Sequence, residues 1–219
     1  MKKILITIIF PILLLMCRCA AGQTAAGNLN DQMLQALQRS DFASVIQLID
    51  KGAQIDAQGD DGITALIAAS AMGKDDVVKL LLMRGADTTL KDKRGDTALH
   101  YAVMVSSIEE VKLLLDKGAR LNVQEQGGLT PLMLSIVSGS LDMVKLLLDK
   151  GANTEARDTH GYTALMAAAG GGQLDMMRAL LDKGANVNVK SQDGTTALSL
   201  AMTNGKTDAA ALLREHGAR

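Results

Sequence analysis

Residues Val111–Ala119 read V-K-L-L-L-D-K-G-A, and the same nine letters return at Val144–Ala152, 33 positions further on. Two identical catalytic sites in one short chain are rare, so the repetition points first to a structural unit used more than once. The interval holds along the chain. Gly62, Gly95, Gly128, Gly161 and Gly194 are each 33 apart, as are Thr64, Thr97, Thr130, Thr163 and Thr196. A Gly-Ala pair keeps the same spacing from Gly52 through Gly85, Gly118, Gly151 and Gly184 to Gly217.

Each position in the unit has a physical task. In D-K-R-G-D-T-A-L-H, Asp92 to Gly95 carries turn chemistry, and Thr97 is placed to cap a helix that begins at Ala98. Pro131 directly follows Thr130, where a first-turn proline costs no hydrogen bond. A second helix is expected after the small residue at Gly73, Ser106, Gly139, Gly172 or Gly205. Its first turn holds an acid (Asp76, Glu109, Asp142, Asp175, Asp208), followed three residues later by Lys79, Lys112, Lys145 or Arg178. That order suits the helix dipole and an i,i+3 contact, worth only ~0.2–0.5 kcal/mol when exposed. Val111, Leu114 and Leu115 form an apolar face, and Gly118 supplies the left-handed residue that stops the helix. Helices this short are not stable alone, falling below the ~12–15 residues at which isolated helices become marginal, so the units must stack.

The motif D-x-x-G-x-T-A-L-H-x-A from Asp92 to Ala102, followed by V-K-L-L-L-D-K-G-A, resembles the ankyrin repeat. The resemblance covers about residues 31–219 and implies an all-α fold: an ankyrin-repeat solenoid of six 33-residue helix-turn-helix units with β-turn fingers. The units are expected at 31–58, 59–91, 92–124, 125–157, 158–190 and 191–219, after a flexible lead-in at 23–30. The histidine after T-x-L survives only as His100, and the turn Asp becomes Gly59, Glu125 or Ser191. Looser turn networks are expected in those three units. Terminal capping is expected at both ends, because Gln47 replaces a leucine column in the first unit and Arg214 replaces another in the last.

Ahead of the repeats, M-K-K-I-L-I-T-I-I-F-P-I-L-L-L-M-C-R-C-A-A-G combines two lysines, an apolar run from Ile4 to Cys17 and small residues at Ala20, Ala21 and Gly22. That is the layout of a secretory signal peptide at 1–22, cleaved after Gly22 or after Ala21. The apolar run is too short for a membrane span, reaching about 21 Å at ~1.5 Å per residue. An exported protein, periplasmic or secreted from a bacterium, is expected. Cys17 follows Leu14-Leu15-Met16, which resembles a lipoprotein box except at Met16, so membrane attachment is expected only if Cys17 is lipidated.

Both cysteines lie in this leader, so disulfide and thiol chemistry are not expected of the mature chain. Losing Lys2, Lys3 and Arg18 from 23 basic residues leaves 20 against 24 acidic ones, a net charge of −4 that disfavours nucleic acid. Aromatic residues make up 2% of the chain, which leaves few stacking platforms. His100, His160 and His216 fall in different units, and no H-E-x-x-H or C-x-x-C spacing occurs. No enzymatic activity, cofactor or metal is expected, and a monomer is.

Repeats hold their scaffold fixed and vary the residues that meet a partner. The resemblance implies that these flank the turn glycine and end the first helix of each unit. Carried over by position, they are Asp60, Asp61, Ile63 and Met72 in the second unit, and Lys93, Arg94, Asp96, Met104 and Val105 in the third. The fourth offers Gln126, Leu129 and Val137, the fifth Thr159, His160 and Tyr162, and the last Gln192, Asp193 and Thr195. The implied function is binding of another protein through this concave face. A membrane-anchored scaffolding lipoprotein and a secreted effector are the alternatives.

Overall fold

A computed structural model describes residues 28–219. The expected leader at 1–22, with Cys17, and residues 23–27 lie outside that range. Twelve helices occur among the described residues, in six pairs, and no strand does. The pairs are α1 Leu29–Gln38 and α2 Phe42–Asp50; α3 Ala65–Ala71 and α4 Asp75–Met83; α5 Ala98–Met104 and α6 Ile108–Asp116; α7 Pro131–Ser138 and α8 Leu141–Asp149; α9 Ala164–Gly171 and α10 Leu174–Asp182; α11 Ala197–Thr203 and α12 Thr207–Glu215. The helical repeats begin earlier than the sequence implies. Asn28 caps α1 by accepting from the Asp31 N–H, so Leu29 and Asn30 are already helical.

The threonine column starts the inner helices as expected. Thr64, Thr130, Thr163 and Thr196 accept from the N–H three residues on, at 3.1–3.3 Å. Each outer helix stops in a common way: in α6 the Gly118 N–H donates to Leu115 O (3.0 Å) and the Ala119 N–H to Leu114 O (2.9 Å), with Gly118 at φ 91°. This satisfies carbonyls that the helix end would leave bare. Ser106 takes a left-handed φ of 60° between α5 and α6, where the corresponding positions of the other full units hold glycine.

Inner helices α3, α5, α7, α9 and α11 pack side by side, each outer helix lies on its own inner helix, and the outer helices from α4 to α12 also pack on one another in order. One continuous core runs through the stack, built from repeated columns such as Leu66, Leu99, Leu132 and Leu165 and the second column Leu81, Leu114, Leu147 and Leu180, all buried. At the ends the columns turn polar, and Gln47 and Arg214 are exposed as the terminal positions require. Of the acid-base pairs expected within outer helices, Lys112 with Glu109 forms at 2.8 Å. Other cations reach across to the preceding unit instead: Arg84 to Asp50 (2.9 Å), Lys150 to Asp116 (3.5 Å) and Lys183 to Asp149 (2.9 Å).

Candidate partner-binding surface

Each finger is a short hairpin closed by the residue before the turn and the one after it. In the third unit Asp92 N–H donates to Asp96 O (2.9 Å) and Gly95 N–H to Asp92 O (3.0 Å). The Asp92 carboxylate ties the loop further, with Oδ1 accepting from the N–H groups of Arg94 (2.8 Å) and Asp96 (2.9 Å). Asp158 does the same for His160 and Tyr162, both at 2.8 Å. Where the Asp is replaced, the network is partly rebuilt. Asp61 Oδ1 accepts from Ile63 (3.2 Å), and Glu125 Oε1 from Leu129 (2.9 Å), one bond each instead of two. In the last unit Ser191 donates to Asp193, which accepts from Thr195 N–H (3.0 Å). The Ser191 hydroxyl and then Thr195 hold the exposed Asp193 carboxyl down at about 2. The looser turns expected of these units are therefore realised at Gly59 and Glu125 but not at Ser191.

The tips are joined to one another through the backbone. Lys93 N–H donates to Asp61 O (2.8 Å), Gln126 to Arg94 O (2.8 Å), Thr159 to Gly127 O (2.9 Å) and Gln192 to His160 O (3.0 Å). Gln126 and Gln192 add side-chain bonds to Lys93 O and Thr159 O. The finger tips of five units thus form one unbroken edge. Asp60, Lys93, Arg94, Gln126, Thr159, His160, Gln192 and Asp193 are exposed along it. Asp61, Ile63, Leu129, Tyr162 and Thr195 are half-buried behind the tips, and the rings of His160 and Tyr162 lie 6.4 Å apart. At the ends of the inner helices, Met72 and Met104 are half-buried against the core and Val105 is half-buried, whereas Val137 is 40% exposed.

Asp96 does not belong with them. It is 1% exposed, so it cannot meet a partner from its place in the finger. Its Oδ2 lies 3.3 Å from Arg94 Nε. Burial pushes its carboxyl up to about 7, against the pull of Arg94 and with help from Asp92 and Glu125. Tyr101 explains the unusual interior of this finger: its hydroxyl donates to Asp92 Oδ2 at 2.7 Å, and both residues are buried. The equivalent positions hold Ala68, Leu134, Ala167 and Leu200, so a lone phenol in an aliphatic column was the available signal.

His100 is fully buried and has the structural role its motif position implies. Nδ1 accepts from the Thr97 N–H at 3.1 Å, completing a capping box at the start of α5. Burial holds the imidazole down at about 4, hence neutral and able to accept. Among the described residues there is no cluster of three or more His, Cys, Asp or Glu side chains able to hold a metal ion. No described helix is long and apolar enough to cross a membrane.

The geometry agrees with comparison against protein families. A model described as ankyrin repeats (3 copies) matches residues 76–158 and 153–219, and one described as ankyrin repeats (many copies) matches 48–102. A search of curated proteins finds no match. Stacked helix pairs, tip-to-tip fingers and family models that together run from residue 48 to the last residue lead to one assignment: the chain belongs to the ankyrin-repeat family, whose repeats serve as protein–protein interaction modules.

Proposed function

We propose that this chain is an exported interaction module that holds one partner protein across its finger tips and inner-helix ends, without chemistry of its own. The observation that carries the reading is the unbroken edge of tips joined by backbone hydrogen bonds, with Val137 exposed at the C-terminal end of the inner helix α7. A rigid edge loses little freedom on binding, which favours affinity from few contacts. The tips are also charged unevenly, with Asp60 and Asp61 on the second unit beside Lys93 and Arg94 on the third. A partner that places a basic group next to an acidic one, one unit apart, matches that order.

Site-specific cross-linking tests the surface. A photoreactive residue at Val137 is expected to cross-link the partner in the native setting, whereas one at Met83, 70% exposed on an outer helix, is not. Cross-linking from Met83 alone moves the site to the convex side.

A second reading, a lipoprotein scaffold held at a membrane, is favoured by Leu14-Leu15-Met16-Cys17. Mass spectrometry of the mature N-terminus separates the two. Free export predicts a chain beginning at Gln23 or Gly22, and anchoring predicts an acylated Cys17.

A further inference from the structure

Glu110 stands where the repeat calls for an apolar side chain. The same position holds Val77, Met143, Met176 and Ala209 in the other full units. It is nevertheless 2% exposed, and neither carboxyl oxygen has a partner within normal hydrogen-bond distance, although the Ser70 hydroxyl and the Asp75 carboxyl lie near enough to act on it. Beside it lies Ser70 of α3, fully buried, its hydroxyl also unpartnered, in a column otherwise filled by Leu37, Val103, Ile136, Ala169 and Met202. Asp75, exposed at the start of α4, is a third polar departure, in a column of Phe42, Ile108, Leu141 and Leu174 that turns polar again only at Thr207 of the last unit, and it accepts from the Ser107 hydroxyl at 3.1 Å. All three departures meet at one seam, between the second and third units. The corresponding pairs at the other seams are Leu37 with Val77, Val103 with Met143, Ile136 with Met176 and Ala169 with Ala209.

The outer surface of the same seam lacks its tie. Where Asp50, Asp116 and Asp149 reach a cation of the following unit, the second unit has Met83, facing outward. Such exposed pairs contribute little to stability, so this absence matters less than the buried carboxyl. The seam between the fifth and sixth units also lacks the pair, since His216 replaces the cation there, but its interior is apolar.

We infer that the seam between the second and third units is a proton-dependent joint, closed while Glu110 carries a proton and loosened when it ionises. An ionised carboxylate buried without a partner is costly, and removing its proton leaves the charge with no cation to meet. The charged group facing it is Asp75, from α4, which repels it. Ser70, from α3, offers only a hydroxyl. On α5 the titratable residues are His100, which is turned toward the backbone of Leu129, and Tyr101, whose hydroxyl donates to Asp92 in the finger; the buried face of α8 is Met143, Val144, Leu147 and Leu148. On its own helix, Lys112 is engaged with Glu109 at the surface.

The direction with pH is set by the carboxyl itself. Burial raises Glu110 from 4.5 to about 7, Asp75 adds to the rise and Ser70 opposes it. A folded value above the unfolded one makes the contribution greatest below pH 4.5, and it is lost as the pH climbs through about 7.

Hydrogen exchange at pH 5.5 and 8.5, corrected for the intrinsic rate, reads the joint directly. Wild-type amides in α3, α4 and α6 are expected to lose protection at the higher pH relative to those in α8 and α10. Glu110→Met, which restores the residue found at 143 and 176, is expected to abolish that loss, and Glu110→Gln is expected to abolish it too, whatever its effect on overall stability. Asp96→Asn is expected to retain it, since Asp96 lies in the finger. Equal protection of the wild-type seam at both pH values, or a loss that persists in both Glu110 variants, overturns the joint.

Discussion

Leu114→Ala is expected to lower the unfolding free energy by ~2–5 kcal/mol, measured by urea denaturation with the melting temperature as a check. Leu114 is fully buried in α6, in the column with Leu81, Leu147 and Leu180, and α6 packs on α4, α5 and α8. Its methyl groups therefore fill space shared by three units. Short helices on every side are held by packing and not by their own length, so they cannot close over the cavity without shifting a neighbour. Leu115, one position on and only half-buried, is the internal control: Leu115→Ala is expected to cost clearly less. Equal costs at the two positions would contradict the stacking.

Gly128→Ala is expected to cost roughly 3 kcal/mol, and Gly194→Ala about 1 kcal/mol, although both glycines have a left-handed φ near 80°. The difference lies in whether another finger packs against the glycine. A methyl on Gly128 would sit 2.8 Å from Asp158 Cα and 2.8 Å from Thr159 N, backbone atoms fixed by the Thr159 to Gly127 hydrogen bond. It would pry the fourth finger from the fifth. At Gly194 the added methyl meets nothing within 4 Å, leaving only the backbone penalty. Paired denaturation curves test the point, and equal losses would mean that the tips are not held together.

The periodic residues make the scaffold legible in the sequence. Threonine, glycine and leucine recur because each does the same job in every unit, so one unit read correctly supplies the rest. The surface was legible only in outline. Asp96 shares a column with Ile63, Leu129, Tyr162 and Thr195, and a positional rule treats the five alike. It is tied to Asp92, which the Tyr101 hydroxyl in turn holds, a contact across nine residues that no repeat column contains. Glu110 is a different case. Its intrusion into an apolar column was visible in the sequence, but Glu109 beside it already filled the acidic first-turn position, and one acid masked the other. Asn28 shows the limit at an edge: with no preceding unit for comparison, the start of α1 could be set only by its cap.

The tip-to-tip bonds, like the ion pairs between outer helices, all join a residue to one about 33 positions away. No substantial helix contact skips a unit. Loop closure is therefore never more expensive at one end of the chain than at the other, and folding of this kind is fast for its size. A segment needs only the next 33 or so residues to find its partners, so order can spread along the chain in the direction in which it is delivered, with no distant terminus to wait for.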